Sequence, residues 1–179
     1  MTTWTELEQT AQEAELVVAF FDITNFQKTV RSWSSQEMIN FMGEYYEFVG
    51  EIVAAYNGRL IKFLGDAGLI AFLPEDTDNA AKMLLELQEK GDAWLADRPL
   101  RSRHIIKAHY GPLACGLFGT RDEKRFDILG DTVNTAATLA SNGVAITPQL
   151  FRKLSPEMRQ AFKKHTPPIT YIANGDSHG

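Results

Sequence analysis

The sequence has little of what disulfide-stabilised or zinc-binding proteins need. It contains one cysteine, Cys115, and four histidines among 179 residues. A single cysteine excludes an internal disulfide, and its position in an apolar run favours a packed core thiol over a nucleophile. The histidines do not cluster along the chain, so we assign no metal to them.

The sequence also lacks a basic excess and a long apolar stretch. Its net charge of −5 argues against sequence-independent nucleic-acid binding, because such proteins use a basic face to displace counterions. No stretch reaches the roughly 18 consecutive apolar residues of a transmembrane helix, so no membrane partner is expected. Residues 1–15 are acidic and polar, unlike a signal peptide. These absences predict a cytoplasmic protein, unless the chain is a piece of a larger membrane protein.

What is present is the composition of one globular domain, with 44% apolar and 23% charged residues. The patterns predict elements in the order β-α-β-β-α-β-β-β-α-β-α-β. Long helices between buried strands, with one tight hairpin, predict an α+β fold. We expect a ferredoxin-like βαββαβ core, in which a central mixed or antiparallel sheet carries packed helices. Residues 1–14 are predicted to be a helix or linker, 15–174 the folded domain and 175–179 a disordered tail.

Several boundaries follow from caps and turn residues. The N-terminal helix has a heptad-like stripe at residues 4, 7, 11 and 14, which fits either a packing helix or the end of a signalling helix. The other predictions are a helix opened by a Ser34–Glu37 capping box and closed by Gly58, a helix over 79–96, two strands (103–110 and 112–118) joined at Gly111–Pro112, and a helix over 131–141 capped by Asp131.

A β-hairpin is predicted within Asn57–Pro74. Two apolar runs, 60–64 and 67–73, are separated by the pair Gly65–Asp66, and glycine accepts the positive φ of a tight turn. Lys62 is out of place in such a strand, because burying an unpaired ammonium is costly. Two interpretations remain open: a buried hairpin with a solvated aspartate at its tip, or a hairpin whose lysine and aspartate face a ligand.

Asp22 ends a second buried strand and opens a turn into a helix. The backbone amides of such a turn suit a phosphate. Asp22 and Asp66 end strands that could pair, and two aspartates without a neighbouring histidine or thiol favour Mg²⁺ or Mn²⁺. Paired ions would suit phosphoryl or nucleotidyl transfer. The alternative is that Asp22 caps a helix and Asp66 is a turn residue.

A third segment completes a pattern of four motifs in a fixed order. They are FFDITNF (20–26), KFLGDAGLIAF (62–72), HYGPLACGLFG (109–119) and FDILGDTVNTAA (126–137). With these motifs the chain resembles the class III adenylate/guanylate cyclase catalytic domain, also called the cyclase homology domain. The resemblance implies that residues 15–174 form a nucleotidyl cyclase catalytic domain.

The resemblance implies a role for each matching residue. Asp22 and Asp66 match the two metal-binding aspartates, and the Ile23 carbonyl matches a further metal contact, so two Mg²⁺ or Mn²⁺ ions per site are expected. The residues that match triphosphate contacts are Thr24, Asn25, Phe26 and, ahead of the last strand, Lys163 or Lys164.

Recognition of the base and the ribose is implied in the same way. Lys62 and Asp127 match the pair that reads the purine edge, and a lysine donor beside an aspartate acceptor favours ATP over GTP. Asn134 matches the asparagine that orients the ribose. The family works as a head-to-tail dimer with its sites between subunits, so a homodimer is expected. An upstream sensor domain or a partner protein would be in keeping with the family.

One position departs from the family. Thr138 stands where an arginine stabilises charge on the transferring phosphoryl group, and groups of that kind contribute about 10³–10⁵ in rate. Arg121 or Arg125 is the candidate replacement. The leading interpretation is an adenylate cyclase that makes 3′,5′-cyclic AMP and pyrophosphate. The alternatives are a degenerate cyclase homology domain that binds nucleotide or dimerises with little activity, and a cyclase for another nucleotide.

Overall fold

A computed structural model describes residues 2–176. The helices are α1 (Trp4–Gln9), α2 (Phe26–Thr29), α3 (Ser35–Ala55), α4 (Thr77–Ala96), α5 (Asp131–Thr138), α6 (Pro148–Lys153) and α7 (Pro156–Arg159). The strands are β1 (Gln12–Ile23), β2 (Arg59–Leu64), β3 (Ala67–Phe72), β4 (His104–Gly119), β5 (Lys124–Leu129), β6 (Val144–Ile146), β7 (Phe162–His165) and β8 (Thr170–Ala173). Within the described part of the chain, no helix is long and apolar enough to span a membrane.

All described strands belong to one sheet, in the order β2-β3-β1-β4-β6-β8-β7, with β5 paired to the far half of β4. Strand β1 is antiparallel to both β3 and β4, and among the described strands only β4 and β6 run parallel. The segment β1-α3-β2-β3-α4-β4 therefore has the βαββαβ connectivity, with its four strands in the order β2-β3-β1-β4. The predicted α+β fold with a ferredoxin-like core is confirmed.

Two apolar cores lie on opposite faces of the sheet, because successive side chains of a strand point to opposite sides. Val17 and Ala19 belong to the larger core, beneath α3 and α4. Leu16 and Val18 belong to the smaller core, with residues of α1 and α5. Cys115 is buried in the smaller core, as expected for a packed thiol.

The N-terminal helix is shorter than predicted. It ends at Gln9, and Ala14, the last residue of the predicted apolar stripe, lies on β1 opposite Leu113 of β4. Twelve consecutive β1 residues pair with β4. The hydrogen bonds of this long ladder stabilise the strand more than the helical spacing of Ala11 and Ala14 would stabilise a helix. The predicted N-terminal helix is therefore only six residues long, and residues 12–14 belong to β1.

The predicted break at Gly111–Pro112 is wrong, because β4 runs without interruption from His104 to Gly119. Pro112 lies opposite Glu15 of β1. On its other side β4 pairs with β6 only at 106–108 and with β5 only at 114–119. Proline lacks an N–H but is tolerated where one edge of a strand is unpaired.

Three helix-end predictions also need correction. Asn57, with φ 62°, takes the left-handed position after α3, one residue before the expected Gly58. Gly130, not Asp131, is the N-cap of α5, and the helix ends at Thr138 instead of Ser141. Asparagine tolerates the left-handed region almost as glycine does. The Ser34–Glu37 capping box is present as predicted.

The C-terminal end differs from the prediction as well. Lys163 and Lys164 lie on β7, a strand that the sequence pattern did not indicate. Asp176, a residue of the predicted tail, accepts hydrogen bonds from the Val144 amide at 2.8 Å and from Gln88 Nε2 at 3.0 Å. It is therefore packed against the domain. The rest of the predicted tail, 177–179, lies outside the described residues.

Candidate active site

A cavity of about 490 Å³ lies where β1 ends. It is lined by residues 22–28 together with Asp66 and Ala67. The antiparallel register places Phe21 opposite Gly68, so Asp22 and the hairpin tip meet at the same end of the sheet. The structure thus brings together two aspartates that are 44 positions apart in the sequence.

The turn after β1 is fixed by hydrogen bonds to the segment that precedes β4. Asn25 adopts the left-handed conformation, with φ 57° and ψ 13°, as the N-cap of α2. Thr24 is fixed twice to Arg103, because its amide donates to the Arg103 carbonyl at 2.9 Å and its Oγ1 accepts from the Arg103 amide at 3.0 Å. The turn backbone is therefore fixed against the start of β4.

The carboxylate of Asp66 is electrostatically unfavourable in this place. Burial raises its pKa, and the neighbouring charge of Asp22 raises it further, while the amides of Asp66 and Ile23 donate to the carboxylate and oppose the shift. A divalent cation would relieve the repulsion between the two carboxylates.

The ligand chemistry around the cavity fits a hard cation that keeps other oxygen ligands. The part of the chain that the structure describes holds no group of three histidine, cysteine, aspartate or glutamate side chains suited to a metal. Magnesium is commonly bound through one or two carboxylates, with water and substrate phosphates in the remaining positions. Asp22 and Asp66 supply two carboxylates to the lining of the cavity, which fits that pattern.

The tip of the hairpin is fixed by a residue that sequence reasoning missed. Gly65 has φ 69°, as the predicted tight turn requires. Tyr46 of α3 donates from its Oη to the Gly65 carbonyl at 2.7 Å, and its ring stacks on Phe63 with centroids 3.7 Å apart. Nothing in the local sequence indicates this contact, because 19 residues separate the two partners.

The lysine that looked out of place has a partner. Lys62 Nζ lies 2.7 Å from Oδ2 of Asp127, and Asp127 Oδ1 accepts from the Ile128 amide at 2.8 Å. The two side chains are 40% and 23% exposed. Lys62 is therefore neither unpaired nor fully buried, and the two residues implied in base recognition lie next to each other.

The remaining predicted site residues lie apart from the cavity. Asn134 is exposed on α5. Thr138 ends that helix, and its Oγ1 donates to the Asn134 carbonyl at 2.8 Å. Lys163 is exposed on β7, at the opposite edge of the sheet from β2, and donates to the Asn174 carbonyl at 3.0 Å. One chain therefore does not gather all the predicted residues into one pocket.

A buried polar network behind the cavity was also missed. Tyr45 Oη lies 2.9 Å from His104 Nε2, and Oδ1 of Asp92 lies 3.1 Å from His104 Nδ1. Tyr45 and His104 are fully buried. Burial raises the pKa of Tyr45, and the charges of Asp66 and Asp22 raise it further. The network joins α3, α4 and β4 beneath the two aspartates.

Comparison with known proteins gives a consistent result. Adenylate cyclase 1 of Rhizobium meliloti is 27% identical over 140 residues, which cover 72% of this chain and 21% of that protein. Human guanylyl cyclase C is 31% identical over 140 residues, which cover 74% of this chain and 13% of that protein. The chain thus spans about a fifth or less of these relatives.

Solved structures share the fold. The adenylyl cyclase CyaB of P. aeruginosa superimposes with a TM-score of 0.80 at 19% identity, covering 94% of this chain and 97% of that one. The guanylate cyclase domain of RhGC from Catenaria anguillulae, in complex with GTP, gives 0.75 at 20% identity, covering 91% and 99%. Residues 8–166 match the family described as the adenylate and guanylate cyclase catalytic domain. The chain belongs to that family.

Proposed function

We propose that this domain converts ATP to 3′,5′-cyclic AMP and pyrophosphate, with two metal ions, in a groove between two copies of the chain. One observation carries the proposal. The cavity that holds Asp22 and Asp66 is not lined by Lys62 or Asp127, which pair with each other outside it. A site that uses all four residues needs one half from each of two copies, as a symmetric head-to-tail dimer supplies.

The cavity is the metal and triphosphate half. We assign the Asp22 and Asp66 carboxylates and the Ile23 carbonyl to two Mg²⁺ or Mn²⁺ ions. When bound, these ions would lower the pKa of the ribose 3′-hydroxyl and neutralise the leaving pyrophosphate. The amides of Asn25 and Phe26 are assigned to the triphosphate. The fixed left-handed conformation of Asn25 supports this, because it orients the turn before any ligand binds. The expected contact from Thr24 is not assigned to its amide, because that amide donates to the Arg103 carbonyl.

The ion pair is the base-reading half. Lys62 donates to the adenine N1 atom and Asp127 accepts from the N6 amino group, whereas guanine presents the opposite pattern at both positions. A donor and an acceptor that already lie side by side support ATP as the substrate. Asn134 is assigned to the ribose. Lys163 is assigned to the triphosphate. It lies on β7, at the edge of the sheet opposite β2, and does not line the cavity. It would therefore act from the copy that does not supply Asp22 and Asp66.

The reaction is tested with the purified protein, Mn²⁺ and each of ATP, GTP, CTP and UTP. Cyclic AMP should form fastest, and Asp22→Ala should abolish it. Cyclic GMP as the main product would contradict the assignment of ATP. Product formation that survives Asp22→Ala would contradict the metal assignment, and no product from any nucleotide would contradict the enzymatic function.

The shared site is tested by complementation. Asp22→Ala and Asn134→Ala variants should each be inactive as homodimers. A mixed dimer places both substitutions in one site and leaves the other site intact. Co-expression should therefore restore up to about a quarter of the wild-type activity, since half of the dimers are mixed and each has one intact site. No restoration, despite mixed dimers detected by mass spectrometry, would place the whole site within one chain.

A further inference from the structure

Lys107 is an unusual residue for its place in the fold. It lies on β4 between Phe20 of β1 and Ala145 of β6. At this position β4 is therefore paired on both sides and lies in the interior of the sheet. Ile106 and Ala108 are buried in the larger core, and alternation turns Lys107 towards the face covered by α5. Lys107 is partly buried there, so its charge loses part of its solvation.

The ammonium of Lys107 contacts the last turn of α5. Its Nζ donates to the Ala137 carbonyl at 2.6 Å. Among the described residues no carboxylate lies within ion-pair distance of Lys107. An ammonium has three donors, and this contact uses one of them. The positive charge is therefore not neutralised and keeps hydrogen-bonding capacity.

Capping of α5 explains only part of this arrangement. A cation near a helix C-terminus is favourable, and Lys107 satisfies one terminal carbonyl. However, an exposed residue at the helix end could do the same without losing solvation. The position of Lys107 next to residue 138 is the more informative feature. Thr138 carries no charge, and its hydroxyl donates to the Asn134 carbonyl.

The arginines considered from sequence are less well placed. Arg121 and Arg125 lie in the exposed turn and strand after β4, and Arg125 forms an ion pair with Glu123. Lys107, by contrast, lies against the peptide that precedes Thr138, one helical turn from Asn134. It is the lysine or arginine side chain that the observed contacts place beside position 138.

We propose that Lys107 is a catalytic residue and supplies the positive charge that Thr138 cannot. The proposal rests on the proposed cyclase reaction. In that reaction the ribose 3′-oxygen forms a bond to the α-phosphorus and releases its proton to solvent. The bond from the α-phosphorus to the bridging oxygen breaks, and pyrophosphate leaves with the electron pair. Lys107 takes no part in the proton transfer and donates a hydrogen bond to a non-bridging oxygen of the transferring group.

The decisive variants separate charge from packing. Lys107→Met keeps most of the stem and removes the charge, and Lys107→Arg keeps the charge. We expect Lys107→Met to lower kcat about a hundredfold, the usual effect of losing one donor to a developing charge, with KM for ATP changed much less. Lys107→Arg should retain most of kcat. The matched control is Lys153→Met, since Lys153 contacts β4 through the Tyr110 ring, 4.7 Å away.

A second-site variant tests the substitution of one charge for another. Thr138→Arg should raise kcat at least about tenfold in the Lys107→Met background and much less in the wild type, because the two cations would serve the same group. Loss of the α5 cap alone would instead lower the melting temperature, and Thr138→Arg would not restore it.

The outcomes distinguish the inference from the proposed function. If Lys107→Met folds and keeps wild-type kcat, Lys107 is only a helix cap and the inference is wrong, while the cyclase function stands. If the wild type makes no cyclic nucleotide but Thr138→Arg does, the fold is competent and Lys107 does not replace the arginine. If neither makes product, both are wrong.

Discussion

Tyr46 Oη donates to the carbonyl of Gly65 at 2.7 Å, and this bond joins α3 to the tip of the hairpin that carries Asp66. Tyr46→Phe removes the donor and keeps the ring that stacks on Phe63. Because the tip then loses one anchor, we expect the apparent dissociation constant for Mn²⁺ to rise about threefold to tenfold, the range of one net hydrogen bond.

Calorimetric Mn²⁺ titration without nucleotide measures this change directly. Tyr56→Phe is the matched control, since Tyr56, the C-cap of the same helix, also donates a hydrogen bond from its Oη. Its acceptor is the Glu86 carboxylate, which does not line the cavity. Equal Mn²⁺ affinity in wild type and Tyr46→Phe would show that the hairpin tip needs no such anchor.

Arg59 joins three elements that surround the base-reading pair. Its guanidinium lies 4.2 Å from the Phe126 ring centroid and 5.3 Å from that of Trp4, and it pairs with Glu8. Strands β2 and β5 share no ladder in the described sheet, so side chains set their separation. Arg59→Gln should therefore lower the ATP-over-GTP ratio of kcat/KM about threefold or more, by the usual strength of a cation–π contact.

Arg98→Gln is the control for that prediction. Arg98 makes the same two kinds of contact elsewhere, with its guanidinium 3.2 Å from the Trp94 ring centroid and 2.9 Å from Glu44. Its replacement should leave the nucleotide preference unchanged. Hydrogen exchange of residues 124–129 should accelerate in Arg59→Gln alone, and unaltered exchange there would argue against a role of Arg59 in fixing β5.

The sequence predicted features that depend on local chemistry. The hairpin at Gly65 and the capping box at Ser34 are examples, because a positive φ and a side-chain cap are decided by neighbouring residues. It also pointed to the family, through four short motifs. Only the family resemblance linked Lys62 to Asp127, and the contact of Tyr46 with Gly65 was missed, since both contacts depend on how distant segments are brought together in the fold. The unbroken β4 is a similar case, in which pairing along β1 overrode a Gly-Pro signal.

The raised pKa of Asp66 predicts a stability that falls as pH rises. The folded state holds the proton of this carboxyl more tightly than the unfolded state does. Its stabilising contribution is fully present below the unfolded pKa and is lost as pH rises through the folded one. Asp66→Asn should therefore raise the melting temperature of the metal-free protein at about pH 7 and give less benefit at about pH 4.

Asp122→Asn, in the exposed turn after β4, should show no such pH-dependent gain. Added Mn²⁺ should reverse the order at neutral pH, because only the wild type keeps both carboxylates. An Asp66→Asn protein that melts below the wild type at every pH, with and without Mn²⁺, would show that this carboxylate is not under electrostatic strain.

Two glycines within long helices should respond in opposite ways to alanine. A Cβ on Gly91 of α4 would lie 2.6 Å from His104 Cε1, whereas a Cβ on Gly43 of α3 would meet nothing within 4 Å. Gly43→Ala should stabilise the domain by up to about 1 kcal/mol, because alanine favours the helix. Gly91→Ala should destabilise it by about 1–3 kcal/mol, because the overpacked ring must move and weaken its bonds to Tyr45 and Asp92. Urea denaturation measures both changes. A stabilising Gly91→Ala would show that His104 can shift without cost, and the network would then not fix β4 beneath the two aspartates.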